Sequence, residues 1–223
     1  KELKISRYLL NKDKIRNLLP KREADCYKNT FGHVLVVGGS RSMMGAVHLA
    51  ASGALQMGTG LVSAAVPESI HESLASSLPE MITYPVSENE QGTLGLVSGK
   101  DILENLDNKK VLVFGPGMGK NAEIGPFLKW FLEQIQIPFV IDADGLNALS
   151  AELDILKEVK SPVILTPHPG EMANLLNLST REVQENRIDL AHLLAVDYGV
   201  WVVLKGYKTI IATPQGEIFV NPT

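Results

Sequence analysis

The sequence predicts an α/β fold built on a central, mostly parallel sheet, and three observations carry that prediction. Short apolar runs alternate with longer stretches of helical periodicity along most of the 223 residues. The run at residues 33–37, HVLVV, is nearly continuous and valine-rich, which suits a strand buried on both faces. Several runs end in glycines, prolines, acids or a histidine, at GPGMG (115–119), DADGLN (142–147) and TPHPGE (166–171). An open parallel sheet builds its ligand site in this way, along the carboxyl ends of its strands.

Element by element, residues 5–19 carry apolar side chains at roughly helical spacing and read as one helix stopped by Pro20. After the strand at 33–37, residues 44–58 follow helical periodicity, with Ala46, Ala50 and Gly53 small enough to lie close to a sheet. Strands are predicted at 61–66, 81–86, 111–114, 139–141, 163–165 and 200–204, and helices at 68–77, 101–106, 122–134 and 181–197. Residues 208–212 and 217–220, joined through Pro214 and Gly216, read as a β-hairpin. No internal repeat, low-complexity tract or linker interrupts the pattern, so residues 1–223 are predicted to form one domain.

Composition narrows the function classes. The chain is 45% hydrophobic and 21% charged, with a net charge of −4 and no dense basic cluster, which argues against nucleic acid as a partner. The single cysteine, Cys26, excludes an intrachain disulfide framework and suits a reducing compartment. No apolar stretch is long enough for a membrane span, and a cytoplasmic location is expected.

GPGMG follows a strand and precedes a helix. It is either an anion cradle of backbone N–H groups or a tight strand-to-helix turn. It fails the dinucleotide fingerprint because Lys120 stands where glycine is required, and it fails the Walker A pattern at Phe114 and Asn121. GGSRSMMGA (38–46) also departs from the fingerprint, with Ser40 at the second required glycine. In DADGLN, Asp142 and Asp144 point to one face if the chain stays extended. They either hold Mg²⁺ through water or orient a hydroxyl, or they cap the next turn and helix. His168 sits between Pro167 and Pro169, which restrict the backbone and aim the imidazole, and Glu171 is expected to cap the following helix. The other histidines, His33, His48, His71 and His192, form no metal-ligand spacing. KGYKT (205–209) offers a lysine, a glycine turn and a threonine hydroxyl to a phosphate or ribose, or else simply leads into the hairpin.

Together, GHVLVVGGS (32–40), GPGMG, DADGLN, PVILTPHPGEMANLL (162–176) and VVLKGYKT (202–209) resemble the ADP- or ATP-dependent NAD(P)H-hydrate dehydratases. These are a ribokinase-like group that repairs damaged nicotinamide cofactors, and the resemblance runs from about residue 19 onward. It implies a three-layer αβα sandwich and a carbon–oxygen lyase that dehydrates the 6S hydrate of NADH or NADPH. ADP or ATP with Mg²⁺ would be consumed, and a homo-oligomer is expected. Carried over by position, Ala46, Gly117 and His168 contact the hydrated cofactor, and Lys205, Gly206, Tyr207, Lys208 and Thr209 contact the nucleotide. On this reading His168→Ala costs substrate affinity and almost no stability. The family's Gly-Gly-Thr-Gly-Asp segment, which carries its catalytic aspartate, does not occur in residues 1–223. The resemblance therefore places that aspartate beyond Thr223 and makes the chain a fragment of a longer enzyme. Two rival readings are a vitamin-precursor kinase of the same fold and a catalytically inactive nucleotide-binding homologue.

Overall fold

A computed structural model describes residues 6–19 and 21–222. Its strands are β1 (Arg7–Leu9), β2 (His33–Val37), β3 (Leu61–Pro67), β4 (Ile82–Val86), β5 (Val111–Phe114), β6 (Phe139–Ile141), β7 (Val163–Leu165), β8 (Trp201–Leu204), β9 (Ile210–Ala212) and β10 (Ile218–Val220). They form one sheet in the order β1-β10-β9-β8-β7-β6-β5-β2-β3-β4. All pairings are parallel except those of β9, which runs antiparallel to both β8 and β10 and so makes the expected hairpin. The helices are α1 (Lys12–Leu18), α2 (Met44–Gln56), α3 (Glu68–Ser77), α4 (Gly99–Glu104), α5 (Ile124–Gln134), α6 (Asp144–Leu149), α7 (Pro169–Leu176), α8 (Thr180–Glu185) and α9 (Arg187–Tyr198). None of these is long and apolar enough to cross a membrane.

Successive strand residues point to opposite faces, so each apolar run feeds two cores. Leu35, Val37, Leu112, Phe114, Ile141 and Leu165 face one side, where Phe127 and Phe131 of α5 pack edge to face with ring centroids 4.7 Å apart. Val36, Val62, Ala64 and Val66 face the other side, against Val47 and Ala51 of α2 and Ile70 and Leu74 of α3. The chain thus leaves β2 toward one face and β5 toward the other, although β2 and β5 are neighbours. That divergence opens a crevice at their carboxyl ends, the place where α/β sheets take ligands.

Two expectations need correction. Within the segment read as one helix, residues 7–9 are β1, paired in parallel with β10, and only Lys12–Leu18 is helical. Asn11 caps that helix, its Oδ1 accepting from Lys14 N at 2.9 Å; residue 5 and Pro20 lie outside the described residues. The predicted helix over 181–197 is two helices broken at Asn186, and a Ser179–Glu182 capping box starts the first. Coverage of the sheet is also uneven. On the α2/α3 face, Val140, Ile164, Val203, Ile211 and Phe219 of β6–β10 are only half-buried, and Trp201 is 38% exposed.

Candidate functional site

The two glycine loops meet at the crevice. Gly39 N donates to Pro116 O at 2.8 Å, and Gly117 adopts φ +67°. A Cβ at Gly117 would lie 2.5 Å from Met43 O and 2.9 Å from Ala46 Cβ. Ala46, in the first turn of α2, and Gly117 are therefore side by side. Ser40, on the same turn, is 4% exposed, and its Oγ has no hydrogen-bond partner among the described residues. The sequence reading used Ser40 only to reject the dinucleotide fingerprint. Its buried hydroxyl, close to Gly119, is an unsatisfied polar group of the kind that calls for an explanation.

Asp142 and Asp144 do not share a face. Ala143 turns the chain with φ 49° and ψ −118°, the first corner of a type II′ turn closed by Gly145 N donating to Asp142 O at 3.0 Å. Asp144 swings to the GPGMG loop, where its Oδ2 accepts from Gly119 N at 2.8 Å. Asp142 swings the other way. Its Oδ1 accepts from Thr166 Oγ1 at 2.7 Å and from Lys205 Nζ at 2.9 Å. Neither carboxylate caps α6, and among the described residues no group of three His, Cys, Asp or Glu side chains is arranged to hold a metal. Glycine is the residue suited to such a corner, so Ala143→Gly should stabilise the chain by about 0.5–1 kcal/mol, read as a higher denaturation midpoint at unchanged m. A lower midpoint would mean that the Ala143 methyl contributes more by packing than its backbone loses by strain.

Lys205 joins two loops to this one. Its N donates to Pro167 O at 2.8 Å, and its ammonium also stands 3.7 Å from Glu171 Oε2. Glu171 is nearly buried, and its Oε2 accepts from His168 N at 2.7 Å, as a helix-capping acid should. His168 itself caps α7: its Nδ1 accepts from Gly170 N at 2.9 Å and Glu171 N at 3.2 Å, and its side chain is 56% exposed. The expectation that His168 is dispensable for stability is thereby corrected. His168→Ala should lose about 1 kcal/mol through the lost cap, whereas His168→Asn, with a side chain that caps well, should keep the wild-type melting temperature. Both should weaken binding of the hydrated cofactor. Normal hydrate affinity in His168→Asn would leave His168 with the capping role alone.

The KGYKT loop is held from beneath by Arg187 at the start of α9. Its guanidinium donates to the carbonyls of Tyr207, Leu204 and Lys205, the last two at 3.1 and 3.2 Å. Burial pulls the Arg187 pKa below its ordinary value. Gly206 (φ +131°) and Lys208 (φ 55°) shape the turn, Thr209 Oγ1 donates back to Gly206 O at 3.1 Å, and the Tyr207 ring is 78% exposed. Arg187 and Thr166 are the supports that the sequence reading missed. Arg187 lies outside the glycine- and proline-rich motifs, Thr166 opens TPHPGE without having been singled out, and each acts on a segment 17 or more residues away.

Comparison with known proteins agrees with this arrangement. A family model described as NAD(P)H-hydrate dehydratase matches residues 34–223. The bifunctional NAD(P)H-hydrate repair enzyme Nnr of Moorella thermoacetica is 40% identical over 218 residues, covering 98% of this chain and 41% of that protein. The ADP-dependent (S)-NAD(P)H-hydrate dehydratase of Neisseria meningitidis is 36% identical over 90% of this chain and 64% of its own length. The chain thus spans about two fifths of the bifunctional relatives. Among solved structures, an ADP/ATP-dependent NAD(P)H-hydrate dehydratase from Bacillus subtilis, co-crystallised with ATP/Mg²⁺, matches with a TM-score of 0.78 and 27% identity over 99% of this chain and 74% of that one. A ribokinase-like protein of Enterococcus faecalis gives the same TM-score at 24% identity, which speaks for the fold. Since the match takes in both glycine loops, the two aspartates, the His168 cap and the Lys205 turn, the chain is ribokinase-like in fold and belongs to the NAD(P)H-hydrate dehydratase family.

Proposed function

We propose that the protein to which this chain belongs dehydrates the 6S hydrate of NADH or NADPH at the expense of ADP or ATP. Ala46, Gly117 and His168 contact the hydrated cofactor, and Lys205, Gly206, Tyr207, Lys208 and Thr209 contact the nucleotide. The observation that carries this reading is the convergence at one sheet edge. Ala46 touches the Gly117 position on one side of the crevice, and Lys205 bridges Asp142 and Glu171 beside His168 on the other. A dinucleotide and a phosphate donor would there be held by adjacent loops. Hydroxide is a poor leaving group, and transfer of a phosphoryl group to the hydrate's hydroxyl prepares it for elimination.

Positioning and fixed charge are what this chain offers that reaction. Mg²⁺, when present, neutralises phosphate charge. The described residues hold no carboxylate cluster to cage it, and its coordination would fall mainly to the nucleotide's own oxygens, in the manner usual for this ion. Both aspartates of DADGLN are engaged, one by Lys205 and Thr166 and the other by Gly119 N, so neither is poised as a free base. A homo-oligomer suits the apolar Leu49 and Met57, 73% and 78% exposed along α2 and its end, and a cytoplasmic site suits the free Cys26.

The test is to incubate residues 1–223 with hydrated NADH, ADP or ATP and Mg²⁺. Calorimetry would follow binding, and absorbance would follow recovery of the dihydronicotinamide. Binding of nucleotide without turnover is expected, since loss of a general base alone removes about two to four orders of magnitude. Turnover at ordinary enzymatic rates would return Asp142 and Asp144 to candidacy. Failure of the longer protein to restore the dihydronicotinamide would sink the assignment.

A further inference from the structure

The opposite, amino edge of the sheet holds a polar cavity of about 430 Å³. His33 opens β2 there, Leu61 opens β3, and Lys109 and Lys110 immediately precede β5. Asn29, Tyr84, Asp107 and Asn108 complete most of the wall. Nothing in the dehydratase reading uses these residues.

Lys109 is the informative one. It is only 6% exposed, yet among the described residues its ammonium meets no carboxylate within ion-pair distance. Its one recorded partner is the face of the Tyr84 ring, 5.2 Å away. The buried stem carries the ammonium to the cavity wall, where an aromatic face replaces only part of its hydration and leaves N–H donors free for an anion. His33 responds to the same field. Its Nε2 lies 2.6 Å from Ser63 Oγ, and burial, with the Lys109 charge second, brings its pKa down to about 4. The imidazole is therefore neutral near pH 7 and does not compete for an anion. Lys110, exposed at the mouth, adds a second positive charge, Asp107 subtracts one, and Asn29 and Asn108 offer amide donors.

We propose that this amino-edge cavity binds a small oxyanion, a phosphate or carboxylate group, with Lys109 as the inner anchor and Lys110 at the mouth. The site is separate from the nucleotide loop, since Lys205 and the glycine turns lie at the carboxyl ends of the strands. One net positive charge suits one anionic group, and the volume leaves room for a small organic body attached to it.

The test follows the His33 ring by NMR at constant pH and ionic strength while inorganic phosphate, acetate and chloride are titrated separately. A saturable shift with phosphate, acetate or both, and none with chloride, is expected, and the effective anion names the group. Lys109→Met should weaken that binding roughly tenfold or more, the usual scale for losing a charged hydrogen bond. Lys110→Ala, an exposed change that leaves the core intact, should weaken it by a smaller factor, which keeps the idea testable if Lys109→Met does not fold. Lys205→Met should leave it unchanged. No saturable shift with either anion would overturn the proposal. So would equal binding in the folded Lys109 and Lys110 variants, or loss of binding in Lys205→Met.

Discussion

Lys205→Met should lower nucleotide affinity by about ten- to a hundredfold, the scale of one or two charged hydrogen bonds, and destabilise the fold as well. The ammonium stands 2.9 Å from Asp142 and 3.7 Å from Glu171, and the Glu171 side chain is only 8% exposed. Removing it leaves two carboxylates facing each other across the crevice with no cation between them. A fully buried pair broken in this way costs about 3–5 kcal/mol. Lys205 and Asp142 are 41% and 32% exposed, so solvent screening reduces the expected loss here to about 1–2 kcal/mol. Asp142→Asn gives the sharper comparison. It removes the Lys205 partner without removing the cation, so affinity for phosphates should hold or rise while stability falls. Denaturation and calorimetric titration of ATP on the two single variants and the double variant would form a cycle. A coupling energy well above zero is expected for groups in direct contact. If Lys205→Met lost stability and still bound ATP normally, Lys205 would be a brace for the loops and nothing more.

The parts of this site that were legible in the sequence are those written in local grammar. Valine-rich runs gave β2, β5 and β8 to within a residue, and the glycine and proline clusters marked the loops at their ends. Ala46 and Gly117 were both carried over from the family resemblance and prove to be neighbours, because β2 and β5 are adjacent while their helices leave by opposite faces. What stayed hidden depends on dihedral angles or on distance along the chain. Extended geometry put Asp142 and Asp144 on one face, but a single positive φ at Ala143 sends them to partners 63 and 25 residues away. Arg187 was not singled out within the segment 181–197 read as one helix. Its task appears only when the break at Asn186 starts a new helix under the KGYKT turn. β1 was missed because three exposed residues, Arg7 to Leu9, carry no alternation, and only β10, more than 200 residues later, makes them a strand.

Gly117→Val should be the most damaging change in the substrate half of the crevice, lowering stability by roughly 2–5 kcal/mol and abolishing measurable hydrate binding. Two costs are combined in that figure. A β-branched residue at φ +67° is strained wherever it points, and its Cβ would overlap Met43 O at 2.5 Å and Ala46 Cβ at 2.9 Å. The backbone carbonyl cannot rotate away as a flexible side chain would, so one of the two loops must move. Gly119 separates the two costs. It has φ +83°, but a Cβ there meets nothing nearer than Met43 Cε at 3.7 Å. Gly119→Ala should therefore show the conformational cost alone, about 1–2 kcal/mol, while Gly117→Ala should show that cost plus the overlap. Denaturation of the two alanine variants measures the difference, and equal stability would mean that the loops do not meet as described. Binding then decides the functional claim. A folded Gly117→Ala protein should bind the hydrated cofactor poorly, because its loops have parted or its methyl occupies the ligand's approach. Wild-type affinity in that variant would leave Gly117 with a packing role only, and would move the substrate contact to Ala46 and the unpartnered hydroxyl of Ser40.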